Sequence, residues 1–357
     1  MCDDTARGKL PEPMARKDPH RRSGRATSYD VARLAGVSQS AVSRAFSPVG
    51  SVSDETRERI LEAARSLGYR PNAIARGLIT RRSNLVGLIL PALASLYYPE
   101  IMVEITAEVA RRGARVLLIT VESPAEVGAA LEQLWSFQVD GVIAATAMTA
   151  EQLEHFELHR TPLIFYNRAP PHHAGNSVAV DHADGEGRLV HRLWQAGHRR
   201  FAMITGPDES EVAQQRAAGA RATLERLGGC ITAVTPGDYR YESGIEAFTR
   251  LWTDGGRFDV VLCANDAMAL GAIDAARVKH GLHVPDDVSV AGFDGFNAGR
   301  WLAYQLTTVR QPVGALAAAA VEMLFARIEV PDLAPERRLF SGEIVPGRSA
   351  RLAPSGG

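Results

Sequence analysis

The sequence predicts an α/β protein in two parts. A small N-terminal head of three helices, arranged as a helix-turn-helix with a short hinge helix behind it, precedes a large two-lobed body of parallel sheets flanked by helices. Three observations carry that expectation. Residues 28 to 82 hold three short amphipathic patterns with a Gly-containing turn between the first two, which is how a helix-turn-helix looks in sequence. From Leu85 onward, short apolar runs alternate with longer amphipathic segments, the pattern of β-α units around a parallel sheet. Charge divides at the same place: residues 1 to 84 carry 16 Arg and Lys against 9 Asp and Glu, a balance of +7, and the remainder carries 24 against 32, a balance of −8.

Residues 1 to 27 are polar, basic and Pro-containing, with RKDPHRRSGR at their centre and no periodicity, so a disordered tail is expected. It either adds phosphate contacts ahead of the first helix or does nothing specific. Tyr29 to Leu34 make the first short helix, Ala35-Gly36-Val37 break it, and Ser38 is placed to cap a second helix from Gln39 to Phe46. A third helix begins after Ser53, with Asp54 and Glu55 in a first turn that favours negative charge. Ile60, Leu61, Ala64 and Leu67 recur at helical spacing before Gly68 ends it. Val31, Leu34, Val37, Val42, Ile60 and Leu67 are the expected core of this domain, residues 28–70, and Gln39, Ser40, Ser43 and Arg44 are left facing outward. A basic head on an acidic body is what an anionic polymer partner requires of one domain only. Residues 71–84 form the hinge and linker. In PNAIARGLI, Pro71 or Asn72 starts a short helix that Gly77 weakens, and nine residues are too few to be stable alone, so it folds only when bound.

The apolar runs of the body are LVGLIL, ARVLLIT, DGVIAAT, PLIFYN, SVAV, FAMIT, CITAV, DVVLCA and VSVAGF. Helical segments between them include Glu100 to Arg112, Ala125 to Phe137, Asp184 to Gln195, Gln214 to Leu227, Tyr241 to Trp252 and Ala267 to His280. So many strands exceed one compact sheet, which implies two sheets side by side over residues 85–345, with 346–357 as a C-terminal tail. Val180-Asp181 and the stretch near Thr307-Thr308 are the natural crossings. In open α/β sheets a ligand lies beyond the carboxyl ends of the strands. That rule selects Tyr97 and Tyr98 after the first strand, Asn167 at the end of PLIFYN, Asn265 and Asp266 after DVVLCA, and Asp294 after VSVAGF. It also selects Arg216, which opens the helix following FAMIT, and Tyr239. Carboxylate, amide and guanidinium groups around aromatic faces suit a polyhydroxylated ligand. Each position has a second reading: Asn265 as the cap of the Ala267 helix, Asp294 as a turn cap before Gly295, Tyr97 or Tyr98 as core.

These residues resemble a family. Tyr29-Asp30-Val31-Ala32, Ala35-Gly36-Val37-Ser38, Val42-Ser43-Arg44, Val52-Ser53, Thr56-Arg57 and Gly68-Tyr69-Arg70-Pro71-Asn72, with Ala75 and Leu78, look like the lactose-repressor (LacI/GalR) family of bacterial transcriptional regulators. The match continues through Gly197-His198-Arg199-Arg200, Arg216-Ala217-Ala218-Gly219, Ala264-Asn265-Asp266-Ala267-Met268, Val284-Pro285-Asp286-Asp287-Val288-Ser289-Val290 and Leu306-Thr307-Thr308-Val309-Arg310-Gln311-Pro312. It covers roughly residues 28 to 345. The resemblance implies a periplasmic-binding-protein-like body and a regulator whose affinity for operator DNA answers to a sugar, sugar acid or nucleoside-like metabolite. It carries effector contacts onto Arg216, Asn265, Asp294, Asn167 and Tyr239. It likewise makes Leu78 a wedge in the operator's minor groove, unless that leucine simply packs on the core of a flexible linker. Gln39, Ser40 and Arg44 are expected to read base edges, with Tyr29, Ser38 and Ser43 positioned on the DNA backbone and Asn72 and Ala75 contacting DNA from the hinge. One recognition helix reads one half-site, so a near-palindromic operator demands a homodimer or dimer of dimers. Ser95-Leu96-Tyr97-Tyr98-Pro99 departs from the family's Asn-Pro before two aromatics.

Other classes find little support. No apolar run reaches membrane-spanning length, since LVGLILPALASLYY is interrupted by Pro91. The first 27 residues lack the apolar stretch of a signal peptide, so the cytoplasm is the expected compartment. Cys2, Cys230 and Cys263 show no paired spacing, indicating neither disulfides nor a zinc cluster, and Cys263 reads as a buried strand residue. No cofactor or metal is expected: there is no phosphate-binding loop and no Gly-x-Ser-x-Gly, and Asp184-Gly185-Glu186-Gly187 lacks the third glycine of a dinucleotide site. His172-His173 follow two prolines without ligand partners at metal spacing. The rivals are a sugar-binding protein of a transport system and an enzyme with an appended DNA-binding head.

Overall fold

The computed structural model describes residues 26–46, 52–70, 82–91, 97–168 and 175–353. It divides into two compact units, Met1–Ile79 and Thr80–Gly357. In the first, α1 (Ser28–Ala35), α2 (Gln39–Ala45) and α3 (Asp54–Ser66) pack on one another. Each starts at a side-chain cap. Thr27 and Asp30 form a reciprocal capping box, Ser38 Oγ accepts from Ala41 N at 3.2 Å, and Ser53 Oγ accepts from Thr56 N at 3.4 Å. Gly36 makes the turn at φ +66°, a left-handed conformation open to glycine without penalty. The core holds Val31, Val42 and Ile60 with Ala32, Ala41, Ala45, Ala63 and Ala64. Leu34 and Leu67, expected inside, are 57% and 37% exposed. Alanines let the helices approach so closely that Val31, Val42 and Ile60 fill the space between them.

The second unit begins with β1 (Leu85–Pro91), α4 (Tyr98–Arg111), β2 (Arg115–Val121), α5 (Val127–Ser136), β3 (Gly141–Ala144), α6 (Ala150–Leu158), β4 (Leu163–Tyr166) and β5 (Asn176–Val180). The chain then crosses into α7 (His182–Gln195), β6 (Phe201–Thr205), α8 (Glu211–Arg226), β7 (Ile231–Pro236), α9 (Tyr241–Thr253), β8 (Val260–Cys263), α10 (Asp266–Asp274), β9 (Ser289–Asp294) and β10 (Thr307–Arg310). Next α11 (Val313–Glu329) and β11 (Arg337–Phe340) return to the first lobe, and β12 (Glu343–Val345) rejoins the second. Two six-stranded sheets result, ordered β11-β5-β4-β3-β1-β2 and β12-β10-β9-β8-β6-β7. All pairs are parallel except β12 on β10. Strands β3, β8 and β9 are buried along their whole length, as sheets covered by helices on both faces require.

The lobes are joined three times. The first crossing is at Asp181, as expected. The second falls just after β10, at Gln311 and Pro312, because Thr307 and Thr308 are themselves strand residues. The third, between β11 and β12, was not anticipated. Neither were α6, α11 or β10 to β12. Two further boundaries shift: the helix expected from Ala267 to His280 ends at Asp274 and continues as one π turn over Ala275–Lys279, and Ser210 rather than Gln214 marks the start of α8.

Candidate functional site

Two surfaces carry the residues singled out by sequence. In the head, Tyr29 of α1 is 65% exposed, and Ser38, Gln39, Ser40, Ser43 and Arg44 are exposed on or just before α2. Ser38 is spent on capping and also meets Ser40 Oγ at 2.9 Å, while Gln39 Nε2 donates to Ser28 Oγ at 3.2 Å. Arg57 donates to Ala45 O at 2.7 Å and so closes the carboxyl end of α2. Asn72, Ala75 and Leu78 lie outside the described residues.

In the body, the carboxyl ends of both sheets face each other across a cavity of about 80 Å³. Seven of the eight positions chosen by the strand-end rule line it: Tyr97 and Tyr98 at the start of α4, Asn167 after β4, Arg216, Tyr239, Asn265, and Asp294 at the end of β9. The eighth, Asp266, is fully buried and lies outside the lining. Arg216 sits in the second turn of α8 rather than at its opening. Asn167, Tyr239 and Asp294 hold φ of 53°, 70° and 130°, costly for residues with a Cβ and typical of places where geometry serves a ligand.

The polar groups form one network. Arg216 Nη2 donates to Asp294 Oδ1 at 3.0 Å with both side chains buried, Nη1 donates to Ala264 O, and Nε donates to His182 Nδ1 at 3.4 Å. The guanidinium also stacks 3.9 Å from the Phe293 ring centroid, a cation-π contact strengthened by desolvation. Gln311 Nε2 donates to Asp294 Oδ1 at 2.8 Å and its Oε1 accepts from Asn167 Nδ2 at 2.6 Å, linking the lobes through the second crossing. Across the rim, Glu100 Oε1 accepts from Asn297 N at 2.8 Å. Asn265 serves both expected purposes at once: its Oδ1 caps α10 at Met268 N, 2.9 Å, while its Nδ2 donates to Tyr239 O at 2.9 Å and it faces the cavity. Tyr239 Oη meets Ser210 Oγ at 2.8 Å.

Burial sets the electrostatics. It raises Asp294 against the opposing pull of Arg216, pushes Tyr98 up to about 12, and lifts Tyr97 well above its ordinary range. A second layer lies behind, of which the strand-end rule selects only Asp266. Glu186 of α7 is buried, its Oε2 has no hydrogen-bond partner among the described residues, and burial lifts its carboxyl to about 8 despite Arg216 nearby. His182 is held well below its usual range by burial and then by Arg216. Asp266, raised by burial and by Asp294, accepts from Gly295 N, Phe296 N and Thr308 Oγ1 at 2.7, 3.2 and 2.5 Å. Tyr166, Arg168, Ser210 and Gln311 complete the polar part of the lining. Of these only Gln311 had a signal, as part of the Leu306 to Pro312 string. The segment Asp184-Gly185-Glu186-Gly187 lies within α7 and not in a strand-to-helix turn. Among the described residues no cluster of His, Cys, Asp and Glu could hold a metal. No described helix is long and apolar enough to cross a membrane.

A helix-turn-helix head followed by a two-lobed body with a polar interlobe cleft defines a class, the DNA-binding regulators with a periplasmic-binding-protein-like core. Two family models match accordingly: bacterial regulatory proteins of the lacI family over residues 27–72, and a periplasmic binding protein-like domain over residues 190–350. Catabolite control protein A of Priestia megaterium is 31% identical over 303 residues, 84% of this chain and 91% of that one. A transcriptional repressor PurR of Haemophilus influenzae is 32% identical over 313 residues, 86% and 92% of the two chains. Among solved structures, a lac repressor dimer bound to operator and the anti-inducer ONPF superposes with a TM-score of 0.84 at 29% identity, covering 92% of this chain and all of that one. The complex of the transcriptional regulator CelR with cellobiose gives 0.70, also at 29% identity, over 91% of this chain and 100% of the other. The chain belongs to the lacI family of bacterial regulatory proteins and is a DNA-binding transcriptional regulator.

Proposed function

We propose that this regulator is a repressor whose hold on a near-palindromic operator is controlled by a small sugar, sugar acid or nucleoside-like metabolite bound in the interlobe cleft. The observation that carries the reading is the buried Arg216–Asp294 pair, turned into a cavity between two lobes of the same chain that bears a helix-turn-helix head. An ion pair so far from water is costly unless its remaining hydrogen-bonding capacity is used, and a polyhydroxylated ligand supplies both donors and acceptors. The names of the relatives support repression, and the cellobiose and ONPF complexes support a small ligand in a protein of this kind. At about 80 Å³ the cavity is smaller than the roughly 300–1,000 Å³ of ordinary ligand sites, so the lobes part to admit the ligand. Two recognition helices on two half-sites require at least a homodimer, and pairs of dimers extend the same logic to two operators.

The test has two stages. Duplexes selected from a random pool supply the operator, and a thermal-shift screen against sugars, sugar acids, polyols and purines supplies the ligand, since a ligand of the native state raises the melting temperature. Operator is then titrated with and without that ligand. Two coincident curves reject ligand control, and a pool that yields no enriched sequence rejects specific DNA reading.

A further inference from the structure

The charged groups that line the cavity are Arg168, Arg216 and Asp294. Two of them neutralise each other. Arg216 has also committed donors to Ala264 O and His182, and Asp294 Oδ1 already accepts from two donors. Arg168, which follows Asn167 on the first lobe, is half-buried and forms no ion pair or hydrogen bond among the described residues. The neighbouring stretches of chain offer it no acid either: ALASL at 92–96 and APPHHA at 169–174 contain neither Asp nor Glu. The carboxylates of Glu100 and Asp266, whose charges reach Asp294, are occupied by Asn297 N and by Gly295 N, Phe296 N and Thr308 Oγ1. Among the residues that line the cavity, two guanidinium groups face one carboxylate, so the lining holds one more positive than negative group.

Its placement is informative. Burial raises the hydroxyls of Tyr98 on one lobe and Tyr239 on the other, and the charge of Arg168 opposes that rise at both. The guanidinium therefore lines the cavity within electrostatic reach of both walls. A guanidinium offers five donors in a planar fork that matches a carboxylate or a phosphate bidentately, and in a site closed to water it is worth more than at a surface.

We propose that the ligand of the cleft carries an anionic oxygen group, a carboxylate or a phosphate, and that Arg168 is the residue that selects it. This rests on the reading of the cleft as the effector site. Asp294, Asn265 and Arg216 are then left for the neutral, hydroxylated part of the molecule, with the tyrosine rings covering its apolar faces. A neutral sugar would leave Arg168 desolvated without an acceptor when the lobes close, which disfavours it relative to the corresponding acid.

The experiment uses the full chain at constant ionic strength. Binding of D-gluconate, D-glucuronate and D-glucose 6-phosphate is compared by calorimetry and thermal shift with binding of D-glucose and sorbitol, for the parent, Arg168→Gln, Arg168→Lys and Asp294→Asn. The expected result is that at least one acid binds better than its neutral counterpart, that Arg168→Gln weakens it roughly tenfold to a hundredfold, and that Arg168→Lys recovers part of the loss. The gluconate and phosphate arms separate a carboxylate from a phosphate. No acid binding at millimolar concentration, or acids and neutral compounds binding alike, overturns the proposal. Neutral binding that Asp294→Asn abolishes and Arg168→Gln leaves unchanged overturns it while leaving the cleft in place. Acid binding that survives both Asp294→Asn and Arg168→Gln removes the ligand from the cleft altogether. Arg168 is half-buried and outside the hydrophobic core, so its variants are expected to fold, which their melting curves without ligand check.

Discussion

Arg44 stands free on the exposed side of α2, and a guanidinium there is suited to the O6 and N7 acceptors of one guanine. Arg44→Ala is expected to cost about 1–3 kcal/mol on the selected operator and to relax preference at one base position. Fluorescence anisotropy against operator and random duplex decides this: equal loss on both would reduce Arg44 to a phosphate contact. A second residue-scale prediction concerns Glu186. Its carboxyl is raised to about 8 in the fold, against 4.5 ordinarily. Between those values the folded chain holds a proton that the unfolded chain lacks, so stability falls as pH rises across that window, by at most about 1.4 kcal/mol per pH unit. Glu186→Gln is expected to flatten this slope and to raise the melting temperature at pH 8, read by calorimetry from pH 5 to 8. His182 acts oppositely. Buried neutral, it withdraws stability as pH falls below its ordinary range.

At the scale of elements, the close approach of α7 and α8 depends on Gly219. A Cβ there would stand 2.2 Å from Ala183 O and 2.7 Å from Ala183 Cα, and backbone cannot swing aside as a side chain does. Gly219→Ala is expected to cost about 1–3 kcal/mol, seen as a lower denaturant midpoint at unchanged slope. The same helices carry His182, Glu186 and Arg216, so the loss should be accompanied by weaker ligand binding. In the head, Ser38→Ala removes both the cap of α2 and a hydroxyl beside the exposed face expected to read DNA. About 1 kcal/mol of stability is expected to go, with operator affinity falling further than that if the backbone contact is real. Leu78, outside the described residues, keeps its sequence-based expectation: Leu78→Ala should bind operator more weakly and bend it less.

Across the whole molecule the prediction is coupling. Glu100 to Asn297 N and Asn167 to Gln311 tie the lobes to each other, and on the proposed function a ligand that strengthens or breaks these ties is expected to change the relation between the two heads of a dimer. Effector and operator then alter each other's affinity by one common factor, with about 1–3 kcal/mol typical of such systems. Asp294→Asn is expected to abolish the response while leaving operator affinity without ligand nearly intact. A variant that no longer binds ligand and still switches would place the pocket elsewhere.

Much of this was legible beforehand, because local chemistry leaves a local mark. Helix caps at Ser38 and Ser53, the glycine turn at Gly36, and runs such as DVVLCA that can only be buried strands are short-range signals. The strand-end rule needed nothing more than those runs to choose Tyr97, Asn167, Asn265 and Asp294. What escaped lacked periodicity or depended on distant partners. Helix α11 is alanine-rich and apolar nearly all round, so it shows no stripe, and β11 is a charged edge strand whose RRLF pattern resembles a loop. Glu186, His182 and Gln311 acquire meaning only from Arg216 and Asp294 beside them, which the chain brings together across 17 to 112 residues of sequence. Sequence by itself determined most of the elements, the class and the greater part of the polar residues that line the cleft. Tertiary structure alone decided which polar groups are desolvated together, because burial and pairing are properties of a folded neighbourhood and not of any single stretch of chain.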